Sequence, residues 1–271
     1  MDGFTGPVRV IDVGDERFRR VFEAFLAGTD EKAAVHPYLT DIVTALPERG
    51  VWLDAGAGEG VTTRHLAPYF AATVAVEPGA HLRARLRSAC PTAVIVTDPV
   101  LRAGLDLRAD FALFSHVLYY LPPQEWRETV LRLLGWVKPG RELVVLLQNP
   151  EDDCMRMVRE FTGVRMDLAA LADELAASGD GLVGDVSLRT LPATYRAATD
   201  AAAWEAAEFM LNVPQLAAME IRPDRADLAA YVRGHFSRPG GGYAIGHAND
   251  VLRVRRAAGP RQDGESHDVL T

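Results

Sequence analysis

The sequence predicts an α/β fold built on a doubly wound, mostly parallel sheet of seven strands, and three observations lead there. Short apolar runs without polar interruption alternate with helically spaced segments through the first half of the chain. A glycine-rich loop follows the first strong run, and past residue 148 the texture becomes alanine-rich and helical. A strand that is apolar throughout has both faces buried, which is the condition of a parallel sheet with helices on either side.

Ahead of the sheet, Phe18, Val21, Phe22, Phe25 and Leu26 recur at helical spacing and predict a helix over 16–27, with a second over 32–46. Residues 51–54 form the first strand, halted by Gly56, Gly58 and Gly60 and followed by a helix through Leu66. Strands follow at 73–76, 93–96 and 111–114, with a helix over 80–89 between the first two of these. Pro122 and Pro123 suit a helix's first turn, and Trp126, Val130, Leu133 and Val137 carry that helix to a stop at Pro139-Gly140. Residues 143–147 are the fifth strand. Helices are expected over 152–161, 168–177, 201–211 and 226–236, while strands at 186–191 and 251–255 close the sheet as an antiparallel pair.

The 271 residues are 48% hydrophobic and 24% charged, enough to build a sizeable core without disulfide staples. A net charge of −8 works against nucleic acid as a partner, because that binding leans on cations neutralising phosphates. Apart from Lys32 and Lys138 the basic residues are all arginine, a skew that reads as GC-rich codon usage. The longest apolar run, near Leu143, falls far short of the roughly 20 residues that span a bilayer, and Asp2 opens no basic-then-apolar leader. No membrane partner and a cytoplasmic location are expected. Cys90 and Cys154 sit in no paired motif, and Asp152-Asp153-Cys154 lacks a second ligand pair, so no metal is expected.

Asp54-Ala-Gly56-Ala-Gly58-Glu-Gly60, at a strand's C-terminal end, turns backbone N–H groups and a helix N-terminus towards a ligand. Glu77 ends the second strand about twenty residues on, where a carboxylate grips ribose hydroxyls. The third glycine falls one position early for a nicotinamide-dinucleotide fingerprint, and Asp54 would repel a pyrophosphate while suiting a cofactor that presents an ammonium group. S-adenosylmethionine presents one. The loop resembles motif I of class I S-adenosylmethionine-dependent methyltransferases, Glu77 resembles their acidic residue after it, and residues 110–120 resemble their fourth-strand motif.

The resemblance implies a Rossmann-like methyltransferase fold with N-terminal helices and a helical substrate cover. It places Asp54, Gly56, Gly58, Glu77, Asp98 and Ser115 at the cofactor. Ser115-His116 stands where enzymes acting on nucleobase amines carry an Asn/Asp-Pro-Pro-Tyr/Phe signature, which argues against that role. Residues 25–31, Val76-Glu77-Pro78, Leu118-Tyr119-Tyr120 and the segment Gly241–His247 are similar to the histamine N-methyltransferase family and its bacterial small-molecule relatives. By that resemblance Glu31 binds a substrate amine, Tyr119 and Tyr120 line the acceptor pocket, and His116 and His247 are the candidate catalytic bases. If extended, the segment points Tyr119 and Tyr120 apart, so one of them belongs to the core.

The function expected is methyl transfer to nitrogen or oxygen of a small metabolite, in natural-product (antibiotic) biosynthesis. Two alternatives stay open: the same fold running a non-methylating displacement or cyclisation with histidine as base, and a non-catalytic partner subunit. The chain is expected to act as a monomer, as a homodimer or beside a homologous partner. Its organisation reads as an N-terminal helical cover over 1–48, a cofactor-binding core over 49–148, a substrate cover with closing strands over 149–256, and a flexible tail over 257–271.

Overall fold

The computed structural model describes residues 5–12 and 15–258, so the expected tail lies, from residue 259 on, outside the described residues. Helices α1 (Glu16–Gly28) and α2 (Glu31–Thr44) precede the first strand. Strands β1 (Val51–Ala55), β2 (Ala72–Val76), β3 (Val94–Val96), β4 (Ala109–Ser115) and β5 (Val137–Gln148) follow, interleaved with α3 (Val61–Leu66), α4 (Ala80–Ala89) and α5 (Trp126–Gly135). Then come α6 (Asp153–Thr162), α7 (Leu168–Ala177), β6 (Val183–Leu191), β7 (Thr194–Ala197), α8 (Asp200–Met210), α9 (Pro214–Ala218), α10 (Arg225–Phe236), β8 (Tyr243–Gly246) and β9 (Asn249–Arg256).

Seven strands form one sheet in the order β3-β2-β1-β4-β5-β9-β6. The first five run parallel, and β9 lies antiparallel between β5 and β6, so the two late strands close the sheet as expected. The two-residue period of β4 feeds both faces. Phe111 and Leu113 pack with Val35 and Leu39 of α2 and Leu66 of α3, while Ala112 and Phe114 pack with Trp126, Leu133 and Leu171 on the opposite side. Asp110 is buried in the same strand because its carboxylate accepts the Gly50 and Val51 N–H groups at 3.0 and 2.9 Å and the Lys138 ammonium at 2.7 Å.

Two expectations need correction. The helix drawn to Val137 ends at Gly135, and Pro139-Gly140 lie inside β5 instead of ahead of it. The register of β4 against β5 slips between Ala109 and Phe111, which makes room for Gly140 in the left-handed region at φ 74°. In addition, β7 and β8 form a separate antiparallel pair, and no strand had been expected at 194–197.

The strand order reverses between β1 and β4, so a crevice opens outside their C-terminal ends. α1 is fastened across that opening. Glu208 of α8, 1% exposed, accepts the Arg9 N–H at 3.1 Å and the guanidiniums of Arg9 and Arg17. Asn212 adds a reciprocal pair of bonds to the Ile11 backbone at 3.0 and 2.8 Å.

Candidate functional site

The loop after β1 depends on glycine at two positions above all. Gly56, at φ 93°, would drive a Cβ into Val117, and Gly60, at φ 85°, would press one against Leu86. Gly58 is different. A Cβ there would meet nothing within 4 Å, so its backbone faces open space that a ligand can enter. Glu77 ties the loop to the end of β2, its carboxylate accepting the Gly58 N–H at 2.8 Å and the Gly79 N–H at 2.6 Å.

Asp54, at the end of β1, is buried and accepts the Thr63 hydroxyl at 2.6 Å. Burial pushes its carboxyl up to about 6, against the opposing pull of Thr63 and Lys32. A carboxyl held back from ionisation at the wall of a cavity suits a cationic ligand, which restores the charge that burial disfavours. Carboxylates at the ends of β1 and β2 make an acceptor set for an amine-bearing nucleoside, while the N–H groups of Gly56, Ala57, Gly58 and Gly60 between them are bonded within the protein instead of turned to a ligand as expected.

One cavity of about 570 Å³ joins this loop to a second, aromatic region. Phe18, Phe22 and Phe25 of α1 meet Phe209 of α8 with ring centroids 5.3 to 5.8 Å apart. Between the two regions lie Glu31 and Lys32 at the start of α2, Ser115 and His116 at the end of β4, and Tyr119, Tyr120 and Gln148.

His116 stands at φ 58°, a left-handed conformation that costs a non-glycine residue about 1–3 kcal/mol. Its Nε2 lies 3.2 Å from Glu31 Oε1, and its Nδ1 lies 3.4 Å from the Tyr119 hydroxyl. Facing a carboxylate, Nε2 carries a proton, and in the neutral tautomer Nδ1 is then the bare nitrogen. The Tyr119 oxygen accepts the Gln148 N–H at 2.8 Å, which turns its own proton towards Nδ1. Glu31 is 5% exposed. Burial opposes its ionisation, but Lys32 at 3.2 Å and His116 outweigh it and hold the carboxyl well below the usual carboxylate range. Both partners take Oε1, leaving Oε2 without a protein partner among the described residues.

Of the residues singled out from the sequence, the cavity brings together Glu31, Asp54, Gly56, Gly58, Glu77, Ser115, His116, Tyr119 and Tyr120. Both tyrosines reach it because 118–120 is a 3₁₀ turn and not an extended segment. Two candidates are placed elsewhere. Asp98 is an exposed residue beside the cavity-lining Pro99, Val100 and Leu101. His247 is 1% exposed, packed behind the cavity-lining Phe25 and bonded to Thr29, and does not itself line the cavity. Asp152 and Asp153 are occupied with the backbone N–H groups of Ala248 and Gly246. Among the described residues no group of three His, Cys, Asp or Glu side chains is placed to hold a metal, and no helix is long and apolar enough to cross a membrane.

Sequence reasoning missed Lys32, Gln148, Met155, Phe209 and Met210 as lining residues. The phenylalanine stripe of α1 was visible, but nothing in its spacing tells a cavity wall from an ordinary core face.

Residues 28–210 match the family model described as a methyltransferase domain. The chain belongs to this methyltransferase family. With the family goes its methyl donor, S-adenosylmethionine, and the Asp54 and Glu77 carboxylates beside the glycine loop fit that group as acceptors for its ammonium and hydroxyl groups. Among solved structures, the fold is similar to the N-methyltransferase NodS of Bradyrhizobium japonicum in complex with S-adenosyl-L-homocysteine, at 13% identity and TM-score 0.54 over 89% of this chain and 99% of that one. It is also similar to the YcgJ protein of Bacillus subtilis, at 15% identity and TM-score 0.56 over 82% and 100% of the two chains. At such identities the likeness is one of fold, and it bears out the Rossmann-like methyltransferase architecture. Among curated proteins none matches the sequence.

Proposed function

We propose that this family member transfers the methyl group of S-adenosylmethionine to a nitrogen or oxygen of a small, largely apolar metabolite, in the tailoring of a natural product, and that it does so in the cytoplasm. The observation that carries the reading is the single cavity of about 570 Å³ running from the glycine loop to the four phenylalanines. Donor and acceptor must share it, and its volume lies in the range of small-molecule sites, which favours a compact acceptor over a polymer. The net charge of −8 argues the same way against nucleic acid.

On this reading Asp54, Gly56, Gly58, Glu77 and Ser115 hold the cofactor, which when bound supplies an electrophilic methyl group. The phenylalanines pack the body of the acceptor and keep water from the reacting atoms. Glu31 offers Oε2 to a cationic amine, in keeping with the resemblance to the histamine N-methyltransferase family. His116 takes the acceptor's proton at Nδ1, displacing the long Tyr119 contact, and Glu31 at Nε2 stabilises the imidazolium that results.

The test incubates the protein and S-adenosylmethionine with a panel of small amines, phenols and acids, and follows S-adenosylhomocysteine release. Turnover with an apolar amine or phenol, lost in His116→Gln and retained as cofactor binding in that variant, is the expected result. Calorimetric binding of S-adenosylhomocysteine with no turnover across the whole panel would overturn small-molecule methylation and favour the non-methylating use of the fold.

A further inference from the structure

His247 is buried, titratable and unused by the mechanism above, and its surroundings give it a different task. Its Nε2 lies 2.6 Å from the Thr29 hydroxyl, the shorter of the two bonds that the hydroxyl makes; the other is the Glu31 N–H, which it accepts at 3.1 Å. Thr29 and Glu31 straddle the start of α2. The ordinary capping position there is Asp30, yet its side chain makes no cap bond. Its carboxylate is drawn off instead to the Thr194 N–H at 2.6 Å and the Arg196 guanidinium at 2.7 Å. Thr29 therefore supplies the cap from one residue further out, serving one of the N–H groups that a helix start leaves without a partner.

The protons on this chain of bonds can be assigned. The Thr29 oxygen already accepts from Glu31, and its own proton has no acceptor other than His247 Nε2 among the described residues. Burial lowers the His247 pKa, which favours the neutral ring at neutral pH, with one nitrogen bare. The hydroxyl thus donates to Nε2, and the ring proton sits on Nδ1. The backbone around Thr29 is pinned as well. Its N–H reaches Phe25 O at 3.1 Å, and Thr29 bridges to Tyr195 of β7, the strand paired with the β8 that leads into His247.

We propose that Thr29 and His247 form a positioning pair that fixes the first turn of α2, and with it the Glu31 carboxylate, against His116 in the acceptor half of the cavity. His247 acts through Thr29 and not on the acceptor. In its functional consequence this rests on the reading of Glu31 as the amine anchor, but the bond chain itself stands on geometry.

The experiment compares the parent with Thr29→Val and Thr29→Ser, all saturated with S-adenosylhomocysteine. Nitrogen-15 NMR of the histidine rings and hydrogen exchange of the Glu31 amide read the bond chain directly. Binding of 2-phenylethylammonium, a probe with one aromatic ring and one cationic amine, reads its consequence. Expected are an unprotonated Nε2 in the parent, at least tenfold faster Glu31 amide exchange and at least tenfold weaker probe binding in Thr29→Val, and recovery of both in Thr29→Ser. The S-adenosylhomocysteine Kd should stay within twofold throughout, which a general loss of folding would not allow. A protonated Nε2 in the parent, or a Glu31 amide whose exchange is the same in Thr29→Val, overturns the positioning pair. If the bond chain behaves as expected while the parent fails to bind the probe, the anchoring role of Glu31 is what falls, and the positioning pair stands.

Discussion

Asp54 is predicted to destabilise the cofactor-free protein at neutral pH, and Asp54→Asn separates that cost from the residue's role in binding. Burial pushes the carboxyl from 3.8 up to about 6, which at about 1.4 kcal/mol per pH unit corresponds to about 3 kcal/mol. The sign follows from which state ionises first. Below pH 3.8 the carboxyl is protonated both folded and unfolded, and Asp54 costs nothing. As pH rises, the unfolded chain ionises while the folded one does not until about 6, so the parent loses stability across that window and stays penalised above it. Asparagine still accepts the Thr63 hydroxyl but carries no charge. Urea unfolding of the two cofactor-free proteins should therefore give nearly equal stabilities near pH 4, and a variant more stable by up to about 3 kcal/mol at pH 7.5. Calorimetry should show the opposite order for the ligand, with S-adenosylhomocysteine affinity falling at least tenfold in the variant, about 1.4 kcal/mol. A variant less stable than the parent at pH 7.5, or a difference that is the same at both pH values, would refute the idea that the buried carboxyl waits for a cationic partner.

Three further predictions concern the frame of the site. Gly56→Ala meets both a left-handed backbone and the Val117 side chain, and should cost about 2–4 kcal/mol in thermal or urea unfolding; adding Val117→Ala should recover the steric part only. Glu208→Gln removes the charge that gathers Arg9 and Arg17 onto α8. Because both guanidiniums are partly exposed the loss should be about 2 kcal/mol, below the full cost of breaking a buried pair, and trypsin should cut within α1 faster. Cys90 and Cys154 are buried free thiols whose pKa values burial pushes up, so at pH 8 neither should react with a thiol reagent until urea unfolds the chain; a fast-reacting thiol in the folded protein would contradict their placement.

The sheet was legible because its information is local. Continuous apolar runs need two buried faces, and Gly56, Gly58 and Gly60 can only follow a strand that delivers the chain into left-handed turns. The cofactor half was legible for the same reason, since Asp54 and Glu77 sit at the ends of strands whose register the parallel pairing fixes. What periodicity could not give was the outcome of packing at long range. Pro139-Gly140 reads as a helix stop, yet it lies within β5, where Lys138 is drawn to Asp110 across the neighbouring strand. Asp98 is an exposed residue beside the cavity-lining Pro99, a placement that nothing local in the sequence after β3 fixes.

By itself, then, the sequence determined the α/β class, the order of the main elements, the glycine loop and the carboxylates beside it, all of which depend on residues a few positions apart. Only the tertiary structure decided that the phenylalanine stripe of α1 is the wall of a cavity, that Glu31 and His116, 85 residues apart, share a hydrogen bond, and that His247 is bonded to Thr29. Those facts depend on where helices from distant parts of the chain come to rest on the sheet. That is set by the summed burial of whole faces and by single long-range bonds such as those of Glu208 and Asp30, which leave no spacing in the sequence to read.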